Sequence, residues 1–286
     1  KDKGEIRTSP FGNTLTLEFA KATVEGYSLG SGKYTDFLTI NLASTDYVGH
    51  RFGPNSIEVE DTYLRLDKDL SSFFKFLDNR LGKGNYTVFL TADHGAAHAI
   101  KFMEEHKLPA GFFDSKEIIK LLKQFLKNNY GNESLVKNDN NYHLAVNREL
   151  VRKMNLNYDE VKSNVVQFLQ TLPGIEFAAD IENIGKSPIP EPIRSMIANG
   201  YNPKRAGQLI IIPYSGWFSS NGKGTTHGNW NPYDTHIPLI FMGWGIPHGK
   251  SSKTYHMTDI APTISALLHI QMPSGNVGNV IHEVVK

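Results

Sequence analysis

The chain contains no cysteine. That removes disulfides, thiolate metal ligands and thiol nucleophiles, and it leaves the redox compartment open. No apolar run is long enough to span a bilayer. Neither sign of charge dominates: 30 Lys+Arg face 29 Asp+Glu for a formal charge of +1. The basic residues are spread along the chain, so there is no electrostatic footprint for nucleic acid. There is no internal repeat, no low-complexity tract, no Gly-rich phosphate loop after a strand and no dinucleotide fingerprint. Lys1-Asp2-Lys3-Gly4 is neither a signal peptide nor a start at Met. The natural N-terminus is therefore expected elsewhere, processed or further upstream.

What is present is an ordinary globular composition: 286 residues, 40% hydrophobic and 21% charged, enough for one large α/β domain or a domain with an insertion. Residues 37–42, FLTINL, form a short apolar, β-branched run that suits a buried strand ending near Asp46. From Ser56, a helix cap with Glu58 and Glu60 in the first turn, apolar residues recur at helical spacing through Leu77. After the turn at 82–85, residues 86–91 read as a second strand that ends on Asp93. Strand, helix and strand make a βαβ unit with both carboxylates just past strand ends, where open α/β sheets place their sites.

The next helix falls at about 115–126. Residues 128–206 then change character, with Asn-rich turns, a strand at 142–146, a helix at 158–172 and a Pro-rich stretch at 187–192. The main sheet is expected to resume at 208–212, followed by a polar, Gly-rich loop from 214 to 233, a strand at 238–243 and a closing helix at 257–269 capped by Thr258. The fold class predicted is α/β, a doubly wound and mostly parallel sheet with an inserted α+β subdomain. Its divisions are a core part at 1–127, the insertion at 128–206 and a second core part at 207–286.

Three motifs carry chemistry. Asp46 and His50 stand four apart, close enough for one turn of chain to present both to one ion, though an isolated pair of this kind is more often a cap and a surface histidine. Asp93-His94-Gly95 is a compact oxygen-plus-nitrogen pair after a buried strand, with glycine allowing the bend. The competing reading, an Asp capping the turn beside a solvated His, weighs about as much. His227 lies in a Gly-rich loop and means little alone. Together the motifs set Asp46, His50, Asp93, His94 and His227 at strand ends, and coincidence becomes the poorer explanation. Imidazole and carboxylate without thiolate suit zinc, with manganese and iron open to the same donors. Two such ions about 4 Å apart would clamp the attacking and leaving oxygens of an in-line displacement. The remaining histidines take the bland reading, except that His98 is a candidate neighbour of the site and His236 a candidate brace; Trp217, Trp230 and Trp244 read as packing.

With these residues in place the chain resembles the alkaline phosphatase superfamily, and within it the branch of bacterial zinc-dependent alkaline phosphatases and type I phosphodiesterase/nucleotide pyrophosphatases. The resemblance runs through SPFGN at 9–13, STDYVGH at 44–50, FGPN at 52–55, EDTY at 60–63, TADHG at 91–95, THG at 226–228 and MPSGN at 272–276. It implies that Asp46, His50 and His227 hold one zinc ion, a complete set. It implies that Asp93 and His94 hold a second ion, together with a first-strand Asp that no segment of residues 1–36 resembles.

The nucleophile, a Thr or Ser that forms a covalent phospho-enzyme, is likewise expected upstream of Lys1, so no catalytic residue is assigned in the chain. The resemblance further implies a small phosphate-ester substrate, monoester or diester. It implies a periplasmic or secreted location and a missing N-terminal segment that completes the fold. A polypeptide of these residues alone is expected to bind metal without turnover.

Overall fold

The computed structural model describes residues 3–138, 141–220 and 224–285. Lys1 and Asp2 of the N-terminal stretch, two residues of the Asn-rich turn and three of the loop before His227 lie outside the described residues. The chain divides into two units, one of residues 1–52, 56–95 and 236–286, the other of residues 53–55 and 96–235.

The first unit is built on two helices. Phe11–Gly26 buries Leu17, Ala20 and Val24 against Phe73 and Leu77 of Ile57–Leu81. The second helix starts where the sequence indicates: the Ser56 hydroxyl accepts from the Val59 amide at 3.3 Å, satisfying one of the donors a helix N-terminus leaves open. It stops at Gly82, whose φ of 87° is one that side-chain-bearing residues avoid. The strand Thr87–Thr91 follows and pairs antiparallel with Leu239–Gly243, Thr87 opposite Gly243.

The run at 37–42 forms no strand. A strand exists only through ladder hydrogen bonds to a neighbour, and among the described residues none pairs with this segment. Its apolar side chains are used in packing instead. Ile40 and Leu42 lie against the helix pair, and the Phe37 ring stacks on Phe89 at 6.4 Å.

In the second unit a four-stranded sheet runs in the order Val136–Asn138, His143–Val146, Leu209–Pro213, Ile175–Asp180, each pair antiparallel. The helices Ser115–Tyr130 and Tyr158–Gln170 cover one face, burying Ile118, Leu122, Leu126, Val161, Val165 and Leu169 against Leu144, Leu209 and Ile211. Ile210 and Ile212 point to the opposite face, onto Ile181, Ile189 and Ile197. An unbroken apolar strand is thus explained by burial on both faces. It completes the sheet of the 136–180 region rather than resuming a sheet from the first unit.

The α/β class stands. Among the described residues the parallel pairing is confined to Gly111–Phe112 with Trp217–Phe218, because the predicted parallel partner at 37–42 makes no ladder. Lys162, with only 3% of its side chain exposed, is held by Asp159 at 3.2 Å, Asp180 at 2.8 Å and Glu182 at 2.9 Å. The closing helix, Ile260–Leu267, follows a 3-10 turn at Met257–Asp259 and has Asp259, not Thr258, at its N-cap position, although the Asp259 side chain bonds to none of that helix's first amides. The Asp259 carboxylate accepts from the amides of His256 and Asn279, both at 2.8 Å. The two donors are met by different carboxylate oxygens, Oδ2 and Oδ1, a reach that a single hydroxyl oxygen lacks.

Candidate metal centre

Asp46 and His50 lie on a helix, Ser44–Phe52, rather than in a loop. The helix is anchored by Val48, which is buried, and by Arg51, which donates to Glu5 at 2.8 Å and to Thr8 at 3.1 Å. Residues four apart on a helix are surface neighbours, and here Oδ2 of Asp46 stands 3.3 Å from Nε2 of His50.

Asp93 and His94 follow the strand Thr87–Thr91, which Thr91 ties to its partner by donating to the Pro238 carbonyl at 2.9 Å. The carbonyl of Gly95 can only accept, so His94 donates to it from Nδ1 at 2.8 Å. That places a proton on Nδ1 and makes Nε2 the nitrogen available for a metal ligand role, the second ring nitrogen being held by a backbone carbonyl. Nε2 of His94 lies 3.6 Å from Oδ2 of Asp93, whose side chain is 87% exposed. The first two motifs also meet: a carboxylate oxygen of Asp46 and an imidazole nitrogen of His94 lie within 4.8 Å of one another.

These donors fit a metal ion. A tetrahedral shell with bonds of about 2.0–2.1 Å has edges of about 3.3–3.4 Å, the separation found between Asp46 and His50. The set is two imidazoles with carboxylates, which suits zinc and its neighbours better than calcium or magnesium.

His227 belongs to the second unit, half-buried in the loop before the short helix Pro232–Thr235. The loop is held on both sides of it. Thr225 donates its hydroxyl to the Ala97 carbonyl at 2.5 Å, and the buried Asp234 accepts from the Asn229 amide at 2.7 Å. The Tyr233 hydroxyl accepts from the Gly216 amide at 3.2 Å and from Asn231 at 3.0 Å. Sequence reasoning singled out none of these braces; the available signal was an Asn- and Asp-rich turn directly after the histidine.

His98 takes an ordinary role. Its Nδ1 sits 2.6 Å from Asn55 Oδ1, and its ring lies 5.2 Å from that of Phe102. His236 is exposed. Trp217 and Trp230 are packing residues, Trp230 against Tyr142 at 6.0 Å, whereas Trp244 is 66% exposed.

An α/β chain with carboxylate-imidazole pairs on a helix and past a strand end has the pattern of the alkaline phosphatase superfamily, and known proteins bear this out. The chain belongs to the type I phosphodiesterase / nucleotide pyrophosphatase family, whose model matches residues 3–236.

Alkaline phosphatase PafA of Elizabethkingia meningoseptica is 54% identical over 284 residues, 99% of this chain and 52% of that protein. Alkaline phosphatase PhoV of Synechococcus elongatus is 46% identical over 292 residues, 100% of this chain and 52% of the relative. A Myroides odoratus protein bearing the name calcium-transporting ATPase is 47% identical over 285 residues, 98% and 52% respectively. The crystal structure of wild-type PafA matches with a TM-score of 0.94 at 53% identity, covering 99% of this chain and 54% of that one. The chain therefore spans about half the length of the curated relatives it matches.

Proposed function

We propose that this chain supplies the metal-ligating part of a phosphate-ester hydrolase of alkaline phosphatase type that uses two zinc ions on small phosphomonoesters. The observation that carries the reading is the convergence of Asp46, His50 and His94 in the first unit, on a chain whose relatives include named alkaline phosphatases. Asp46, His50 and His227 are assigned to one ion, and Asp93 and His94 to the other. When bound, the ions would neutralise charge on the transferring phosphoryl group and lower the pKa of an attacking hydroxyl or water.

The chain's own contribution is to hold the donors in register. Asp46 and His50 share one helical turn, and the Gly95 carbonyl holds the His94 ring by Nδ1 so that Nε2 is the nitrogen to be offered to an ion. The loop braces at Thr225 and Asp234 fix the approach to His227. None of these 286 residues is assigned as nucleophile, so a polypeptide of these residues is expected to bind zinc without turning over a phosphate ester.

Zinc content and nitrophenyl phosphate turnover test this. His50→Ala and His227→Ala should each abolish tight zinc binding, and EDTA-sensitive turnover by these 286 residues would refute the assignment of the nucleophile elsewhere. The family match favours a second reading, a phosphodiesterase of the same branch. In the protein as it occurs in the cell, a strong preference for the nitrophenyl diester over the monoester would establish that reading. Calcium transport is disfavoured, since three of the five donors are imidazoles and calcium takes oxygen ligands. A periplasmic or secreted location follows the family resemblance. Among the described residues no helix is long and apolar enough to cross a membrane.

A further inference from the structure

We propose that Asn13 is a positioning residue for Asp46, an inference that rests on the metal reading of Asp46 and His50. Asn13 sits in the first turn of Phe11–Gly26 and is 1% exposed. Its Nδ2 donates to the Thr45 hydroxyl at 2.9 Å, the residue immediately before Asp46. Its Oδ1 is buried and has no hydrogen-bond partner among the described residues.

Burying an amide and leaving its acceptor unmade costs free energy that an apolar side chain of similar size would avoid. A role in packing alone would therefore be better served by leucine. What the amide adds is a directional hold on Thr45. The neighbouring residue leaves room for the same segment: the Ser44 side chain fills the space over Gly12, where a Cβ would come 2.0 Å from its hydroxyl oxygen.

The helix Ser44–Phe52 is only nine residues long and carries both Asp46 and His50. Arg51 clamps its far end, but on the surface, where both partners are about half exposed. Val48 anchors its middle by apolar packing, and Asn13 adds a buried, directional clamp at the end that bears Asp46. A small rotation of this helix about its axis would swing both donors together while leaving their 3.3 Å separation intact. The clamp thus sets where the pair points, a different job from holding the pair together.

The test uses the chain loaded with zinc for affinity and with cobalt for the visible absorption of the bound ion. Asn13→Ala and Thr45→Val should each weaken zinc binding roughly 10-fold, the lower end of what losing a group that orients a ligand costs, and each should alter the cobalt spectrum. The double variant should bind no more weakly than the weaker single one. Leu17→Ala, which damages the same helix at a buried apolar position, should lower the thermal midpoint of the metal-free chain without changing affinity or spectrum. Thr45→Val is nearly isosteric and decides the matter if Asn13→Ala does not fold. Lost thermal stability with zinc affinity unchanged in both variants would overturn the proposal, as would an equal loss of affinity in Leu17→Ala. His50→Ala separates the two levels: if it leaves zinc binding intact, the metal reading itself is wrong.

Discussion

His94 gives its Nδ1 proton to the carbonyl of Gly95 across 2.8 Å, next to a glycine that ends the strand-to-loop bend. The bond is made between adjacent residues, so it depends on no other part of the fold. Nitrogen NMR of the metal-free chain should find this ring in the Nδ1–H tautomer, and zinc should shift the Nε2 resonance while leaving Nδ1 protonated. An Nε2 resonance that zinc leaves unchanged would remove His94 from the ligand set.

Lys162 and its carboxylates give a stability prediction. Burial disfavours the ammonium, but the hydrogen bonds it donates to Asp180, Glu182 and Asp159 outweigh this and raise the pKa above the ordinary 10.5. Lys162→Met should therefore cost about 3 kcal/mol in urea unfolding, the low end for a broken buried pair, because Glu182 keeps Arg148 and Tyr158. A neutral effect would mean that the carboxylates find water instead. Since the folded pKa lies above the unfolded one, the stabilisation is complete below pH 10.5 and fades only as the pH climbs through the folded value.

Alkaline unfolding should begin with tyrosines. Burial pushes Tyr142 up to about 12, helped by Tyr233 and Asp234. Burial also raises Tyr158 to about 12 beside Glu182, and Tyr86 to about 12 beside Asp78, to which it donates at 2.9 Å. The fold holds these protons more tightly than the unfolded chain, whose tyrosines titrate near 10.0. Their contribution is thus intact below pH 10 and is lost as pH rises toward 12. Phenolate absorbance should show these three ionising after the exposed tyrosines, in step with loss of helix signal. Ionisation of all tyrosines near pH 10 in a folded chain would contradict the burial.

Gly243 has a φ of 105°, and a Cβ there would lie 2.0 Å from the Tyr86 carbonyl oxygen. Gly243→Ala meets backbone on one side and a disfavoured dihedral on the other, so the loss should exceed the roughly 1–3 kcal/mol of strain alone. Thermal unfolding measures it. Gly84, with a φ of 81° but open space around it, should tolerate alanine better, and the reverse ranking would mean that strand Leu239–Gly243 is held differently.

Much of this was legible in the sequence where one local signal sufficed. Ser56 with Glu58 and Glu60 announced the helix Ile57–Leu81, and the strands at 87–91 and 239–243 began within a residue of their predicted starts. Phe37–Leu42 failed because period and composition describe a strand's faces but not its neighbour. The role of Asp259 is not legible locally because its second donor, Asn279, lies 20 residues away. Asp46 and His50 have the expected spacing, but on the helix Ser44–Phe52 instead of in a strand-end loop. Four residues span one turn of a loop as readily as one turn of a helix, and only the buried Val48 between them decides. Asn13 was noticed only as part of a resemblance, since nothing in SPFGN says that its amide reaches Thr45.

The strand Leu209–Pro213 is buried at every position and has a strand on each side of it. Its amides can meet solvent only when both neighbours and both covering layers come away together. Hydrogen exchange would therefore make this strand the slowest clock in the second unit, reporting global opening of that unit, while the loop holding His227 could open and close many times without registering on it.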